Sequence, residues 1–176
     1  MSARAEVETK ERPILFSAPM VRAILDARKT QTRRVVLLKP WMRRDGMAFN
    51  TGEWVDPGLG GGAYLKIPRV HDGTAHRLMC PYGGIGDRLR WASRLTLEIT
   101  GVRVERLQQI TRDDAIAEGP EQHDDDGVTY YGDFGKGHAD PRSWYRSAWD
   151  AVNASRGYPW SSNPWVWVLS FRRLHV

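Results

Sequence analysis

Hydrophobic and polar positions alternate along this chain with two different periods, so strands and helices are both expected. Residues 13–16 (Pro-Ile-Leu-Phe) read as a short strand. Ser17 stands where a helix N-cap belongs, Pro19 falls in the first turn, and Met20, Ile24 and Leu25 recur at helical spacing. That spacing predicts a helix over residues 18–27. The polar run 28–32 predicts a turn, and residues 35–38 a strand that stops at Pro40. Residues 94–100 alternate strictly, with Leu95, Leu97 and Ile99 on one face and Arg94, Thr96, Glu98 and Thr100 on the other. Gly101 interrupts, and Val102 and Val104 resume the strand. Thr111-x-x-Asp114 is a capping box with Asp in place of the usual Glu or Gln, opening a short helix that stops at Gly119. Asp140 and Pro141 start another helix, whose apolar stripe is Trp144, Tyr145, Ala148, Trp149 and Val152. Residues 165–171 form a strongly apolar last strand.

Between these elements the pattern loosens. Residues 40–80 are Gly-rich and irregular, with hairpin-like pieces around Trp54 and residues 64–67. Residues 82–87 predict a turn feeding a strand, and residues 120–139 and 154–164 read as loops. Short strands at irregular spacing, a few helices and no repeat favour an α+β fold, a small mixed β-barrel with flanking helices, over a doubly wound sheet. The organisation expected is a flexible tail over 1–12 and a single domain over 13–176, with 40–80 as an irregular insertion.

Composition narrows the class of protein. The 176 residues are 41% apolar and 27% charged, which suits one globular core rather than a disordered chain. No apolar run approaches the roughly 20 residues that span a bilayer, and the charged N-terminus has no signal-peptide core. A cytoplasmic location and no membrane partner are therefore expected. Cys80 is the single cysteine, which rules out an intrachain disulfide. The net charge of +5 is unevenly spread: residues 1–44 hold eleven Arg and Lys against four acids, a local excess of +7. A basic surface of this kind attracts phosphates.

The densest chemistry is Arg28-Lys29-Thr30-Gln31-Thr32-Arg33-Arg34, four cations and two hydroxyls in seven residues. A lysine crowded by cations loses its proton more readily and can act as a base. Lys29 and Thr32 are three apart, so one turn brings base and hydroxyl together. A solvated basic turn is the plain alternative. Glu98, on the polar face of its strand, is a candidate acid or an ordinary exposed glutamate. Trp165 and Trp167 point the same way from their strand, either stacking on a base or packing against the Trp144/Trp149 helix.

These runs have a familiar arrangement. Residues 24–34, Ile-Leu-Asp-Ala-Arg-Lys-Thr-Gln-Thr-Arg-Arg, closely resemble the signature of the ASCH superfamily. Gly86-Asp87-Arg88-Leu89, residues 91–107 and Asn163-Pro164-Trp165-Val166-Trp167-Val168 resemble its phage and prophage branch. One departure is that Leu89-Arg90 joins Trp91-Ala92-Ser93 directly, where such relatives carry a further strand and loop. The resemblance implies a PUA-like β-barrel with a cleft for RNA or a modified base. One bacterial branch deacetylates N4-acetylcytidine with a Lys-x-x-Thr pair and a strand glutamate. Matched by motif, the implied catalytic residues are Lys29 as base, Thr32 as nucleophile and Glu98 as proton donor. Arg28, Thr30, Arg33, Arg34 and Trp165 become candidates for binding nucleic acid or substrate.

Three function classes follow from these residues: a hydrolase of an N-acylated cytidine-like nucleoside, a non-catalytic RNA-binding module, and a ribonuclease on the same scaffold. The expected partner is a nucleoside or RNA, with no cofactor, and a monomer is the default. His71, His76 and Cys80 match no zinc framework, so no metal is expected. Asp124-Asp125-Asp126-Gly127 lacks the alternating acids of a calcium loop and reads as a solvated acidic loop.

Overall fold

The structure, a computed structural model, describes residues 9–39, 42, 53–55, 64–69, 72, 74–92, 94–133 and 135–174. In chain order the elements are β1 (Glu11–Pro13), α1 (Ala18–Leu25), β2 (Gln31–Val35), β3 (Glu53–Val55), β4 (Tyr64–Pro68), β5 (Ala75–Met79), β6 (Arg88–Trp91) and β7 (Leu95–Arg106). Then come α2 (Arg112–Ala117), β8 (Gln122–Asp125), β9 (Val128–Tyr131), α3 (Pro141–Asn153) and β10 (Trp165–Leu174), with short 3-10 turns at Leu107–Gln109, Ala154–Arg156 and Trp160–Ser162. The fold is mixed α+β. Among the described residues no helix is long and apolar enough to cross a membrane.

The chain forms two compact units. The first takes residues 1–15, 38–103 and 171–176, and the second residues 16–37 and 104–170. In the first, β1 runs parallel to β6, and β6 pairs antiparallel with β7, placing Leu89 opposite Leu97 and Trp91 opposite Leu95. Glu11 and Arg12 therefore belong to a paired strand, where a flexible tail was expected. The join at Trp91-Ala92 is a tight reversal, with Ala92 at φ 48. The irregular stretch 40–80 contributes a three-stranded antiparallel sheet in the order β3-β4-β5. Gly60-Gly61-Gly62 and His71 lie outside the described residues.

The alternation read in residues 94–100 is real: Leu95, Leu97 and Ile99 are buried. Gly101 does not end the strand. Burial changes phase there, so that Val102 and Val104 are the next buried positions and β7 continues to Arg106. A glycine is the residue expected where a strand shifts its alternation by one.

Cys80 is buried in the first unit, and burial pushes its thiol from an ordinary 9.0 up to about 11, against smaller opposing contributions from the Tyr82 and Gly83 backbone N–H groups. Only the thiolate alkylates. Iodoacetamide at pH 8 is therefore expected to modify Cys80 about a hundredfold more slowly in the native protein than in the unfolded chain. Equal rates, followed by mass spectrometry, would show that the thiol is accessible.

In the second unit, α1 ends at Leu25, short of the expected residue 27, with Ala27 at φ 58, and the Ser17 hydroxyl makes no capping bond. The strand expected at 35–38 lies instead at residues 31–35, where Gln31, Thr32 and Arg33 are buried. β2 pairs antiparallel with β10, Arg34 opposite Trp167, Arg33 opposite Val168 and Thr32 opposite Leu169. Residues that face each other across a ladder project from the same side. One side thus carries Thr32, Arg34, Trp167 and Leu169, and the other Gln31, Arg33, Val35, Val166 and Val168.

α3 buries Tyr145 and Trp149 against the second of these sides, in a cluster with Leu107, Ile110, Ala115, Val166 and Val168. The tryptophans expected to meet this helix, Trp165 and Trp167, alternate with the two valines and leave from the opposite side. Val152, placed in the apolar stripe by its spacing, is 38% exposed. The acidic stretch at 122–131 is a hairpin rather than a loop. Asp125 faces Val128 across a two-residue turn, with Asp126 at φ 46 and Gly127 at φ 77. An Asp-Gly pair with both φ angles positive is the type I′ turn that matches strand twist. Asp124 accepts a hydrogen bond from the Thr129 hydroxyl within it.

Candidate functional site

The site is built where two chain reversals meet inside the second unit. Helix α2 is capped at its start by Thr111, whose hydroxyl accepts from the Asp114 N–H at 3.1 Å. Glu118 caps its end, followed by Gly119 at φ +90. A helix end leaves carbonyls without partners. Here three consecutive ones are taken by three consecutive residues of the turn between α1 and β2. Thr30 N–H donates to Ala117 O (2.9 Å), Lys29 Nζ to Glu118 O (3.0 Å) and an Arg28 guanidinium nitrogen to Gly119 O (2.8 Å). Cations at a helix C-terminus are also favoured by its dipole.

Lys29 is 3% exposed and makes an ion pair with Glu118 Oε2 at 2.6 Å. The other Glu118 oxygen accepts from Arg33 at 3.1 Å. Arg33 has five N–H donors, and all are used. Nε and one terminal nitrogen bind Glu105 Oε1 (3.1 and 2.7 Å), that nitrogen also binds Asp114 Oδ2 (3.1 Å), and the other binds Gln31 Oε1 (2.7 Å) as well as Glu118. Gln31 in turn donates to Asp114 Oδ1 and Ser170 Oγ. The Arg33 guanidinium lies 5.8 Å from the centre of the buried Tyr145 ring. Two cations and three carboxylates are thus packed together with few donors left over, which is the condition under which buried charge is tolerated.

Electrostatics follow from this packing. Burial holds the Lys29 amine below its ordinary value. Glu118 opposes that shift, and Arg34 and then Arg33 add to it. Burial also disfavours the Arg33 charge, but Glu118, Tyr145 and Glu105 outweigh it and hold the guanidinium above its ordinary value. Tyr145 is pushed well up, first by burial and then by Glu118.

The residues singled out from sequence have diverse placements. Lys29 and Thr32 are buried in the second unit, Thr32 at 2% exposure on the Arg34 side of β2. Arg33 is a buried hub with no N–H left for a ligand. Arg28, half-buried, also pairs with Asp26 at 3.0 Å, and Thr30 is exposed. The Arg34 guanidinium stands 5.3 Å from the centre of the Phe16 ring, and Arg106 stands 4.6 Å from that of the half-buried Trp165. Glu98 belongs to the first unit, where Arg172 donates to both its oxygens at 2.9–3.2 Å. The basic stretch 28–34 is therefore no solvated turn. Sequence reasoning missed Glu118, Glu105, Asp114, Gln31 and Tyr145. One signal was available: a capping-box position filled by Asp114, whose shorter side chain binds Gln31 and Arg33.

No family model matches the sequence, and no curated protein matches it. Among solved structures, the chain is similar to the high-resolution crystal structure of an ASCH domain from Lactobacillus crispatus JV V101, with a TM-score of 0.45 and 13% identity, over 93% of this chain and 79% of that one.

Proposed function

We propose that this chain is an ASCH-type hydrolase with a PUA-like barrel, which cleaves the amide of an N-acylated cytidine-like nucleoside. The observation that carries this reading is the buried Lys29–Glu118 pair, with its amine held below the ordinary lysine range. In this mechanism the neutral Lys29 amine takes the Thr32 hydroxyl proton as Thr32 Oγ1 attacks the amide carbonyl. Glu118 stabilises the ammonium so formed. The carbon–nitrogen bond breaks, the proton passes from Lys29 to the leaving nitrogen, and water then releases the acyl group from Thr32.

Two observations support the assignment. Lys29 and Thr32 are both buried, three residues apart in the same unit. The carboxylate at Lys29 is Glu118, which here stabilises the ammonium, while the proton donation the motif gives to Glu98 falls to Lys29 itself. A small substrate is favoured over an RNA backbone because Lys29 and Arg33 spend their charges inside the protein.

The test is hydrolysis of N4-acetylcytidine followed by chromatography, with folding checked by circular dichroism. Wild type and Glu98→Gln are expected to release cytidine. Lys29→Ala, Thr32→Ala and Glu118→Gln are expected to lose about a hundredfold or more in rate. No cytidine from wild type, or full activity in Lys29→Ala and Thr32→Ala, would overturn the proposal.

A further inference from the structure

We infer that Gln31 is a positioning residue: its amide closes a hydrogen-bonded ring with Arg33 and Asp114, and this ring turns the arginine away from Glu118 and leaves that carboxylate to Lys29. The inference rests on the reading of the Lys29–Glu118 pair given above. The motif that marks Lys29 and Thr32 gives no role to Gln31, which stands between them.

Three bonds make the ring. Arg33 Nη1 donates to Gln31 Oε1 (2.7 Å), Gln31 Nε2 donates to Asp114 Oδ1 (3.1 Å), and Arg33 Nη2 donates to Asp114 Oδ2 (3.1 Å). A guanidinium can only donate and a carboxylate can only accept, so the residue that joins them must do both. The buried Gln31 amide does. β2 supplies Gln31 and Arg33 from one side of the strand, and α2 supplies Asp114. Gln31 Nε2 also donates to Ser170 Oγ of β10 at 3.3 Å, a bond outside the ring.

The ring changes how Glu118 is shared. Arg33 Nη1 has two acceptors, the neutral Gln31 oxygen at 2.7 Å and the Glu118 carboxylate at 3.1 Å. A guanidinium ordinarily makes its shorter bond to the charged acceptor. Here the amide takes that bond, and Glu118 makes its own short one, 2.6 Å, with Lys29. Without the amide, Nη1 is left with Glu118, while Glu105 and Asp114 still hold the opposite edge of the guanidinium. The arginine then closes on Glu118, the Lys29 ammonium loses part of its partner, and the amine gives up its proton at lower pH. A carboxylate at position 31 acts the other way. It holds Nη1 more firmly and adds a negative charge, so Lys29 keeps its proton to higher pH. The charged groups acting on Lys29 are Glu118 at the end of α2 and Arg34 and Arg33 of β2. Glu105 of β7 and Asp114 of α2 stand behind Arg33, and the Tyr145 ring of α3 lies beside it.

Gln31→Met keeps the reach of the side chain and removes both its donor and its acceptor. The chain has five lysines, so labelling at the lysine ε-carbon gives a spectrum in which the Lys29 signal is the one missing from Lys29→Met. In the full-length protein, the Lys29 titration is expected to move down by about half a pH unit or more in Gln31→Met, and up by about as much in Gln31→Glu. Ser170→Ala is the control: it removes the bond outside the ring, so the titration should stay where it is. If the chain hydrolyses the acylated nucleoside, Gln31→Met is about tenfold slower in kcat with KM unchanged, because Glu118 no longer stabilises the ammonium as well. A Lys29 titration that is unmoved or raised in folded Gln31→Met, that moves the same way in Gln31→Met and Gln31→Glu, or that moves as far in Ser170→Ala, would overturn the inference. Should Gln31→Met not fold, Gln31→Glu decides alone: a raised titration upholds the inference and any other result overturns it. Opposite movements without any hydrolysis by wild type would uphold it while removing the proposed substrate.

Discussion

Arg33→Met is expected to destabilise the protein by about 3–5 kcal/mol, the cost of breaking a buried ion pair by removing one partner. Methionine fills much of the same volume, so the loss is electrostatic rather than a cavity. Glu105, Asp114 and Glu118 would each lose an arginine partner, and the Gln31 carbonyl oxygen would lose the Arg33 donor. Arg33→Lys should rescue little, since an ammonium has three donors and no planar fork to serve four acceptor groups. Arg172→Met is the comparison. It also breaks an arginine–carboxylate pair, with Glu98, but the Arg172 side chain is 67% exposed. Exposed pairs of that kind are worth no more than about 1 kcal/mol. Urea unfolding of both variants measures the contrast. If Arg33→Met loses no more than Arg172→Met, the network is not what stabilises the second unit. A double variant, Arg33→Met with Glu118→Gln, should lose less than the sum of its parts, because the two residues share one interaction.

The same network explains which parts of the molecule were legible in the sequence. Elements whose signal is local were readable. The helix from Pro141 follows from Asp140 accepting from the Arg142 and Ser143 N–H groups, and from an apolar spacing that does bury Tyr145 and Trp149. The alternation of Leu95, Leu97 and Ile99 likewise needs nothing from elsewhere in the chain. β2 was not readable in this way. Residues 31–34, Gln-Thr-Arg-Arg, are as polar as a surface turn, and they enter the interior only because acids 72 to 85 positions away neutralise Arg33. The hairpin at 122–131 was hidden by its acids, though Asp126-Gly127 carried the turn signal. The candidate site was half legible. Lys29 and Thr32 stand out by crowding of charge, whereas Glu118 has no local feature beyond preceding a glycine at a helix end. Strand alternation made Glu98 conspicuous, and conspicuousness was a poor guide to which carboxylate meets the lysine.

Gly119 gives the sharpest test of that meeting point. Its φ of +90 is strained for any residue with a Cβ, and a Cβ there would stand 2.6 Å from Lys29 Cβ, 3.0 Å from Lys29 Cα and 3.1 Å from Ala23 Cβ. None of these neighbours is the far end of a flexible side chain, so the turn at Arg28–Thr30 would have to move as a unit. Gly127 makes the two contributions separable, because it has a φ of +77 and nothing within 4 Å of an added Cβ. Gly127→Ala should therefore cost about 1–2 kcal/mol, the backbone contribution alone. Gly119→Ala adds the steric displacement, about 1–3 kcal/mol more for overpacking a well-filled site, for a total of about 2–5 kcal/mol. The three bonds that tie Arg28, Lys29 and Thr30 to the end of α2 pass through this point, so the displacement falls on the Lys29–Glu118 pair. Gly119→Ala should then shift the Lys29 titration as well as the urea midpoint, and Gly127→Ala only the midpoint. Equal losses of stability in the two variants, with Lys29 titrating as in wild type in both, would mean that the glycine serves its own backbone angle and has no part in placing the lysine.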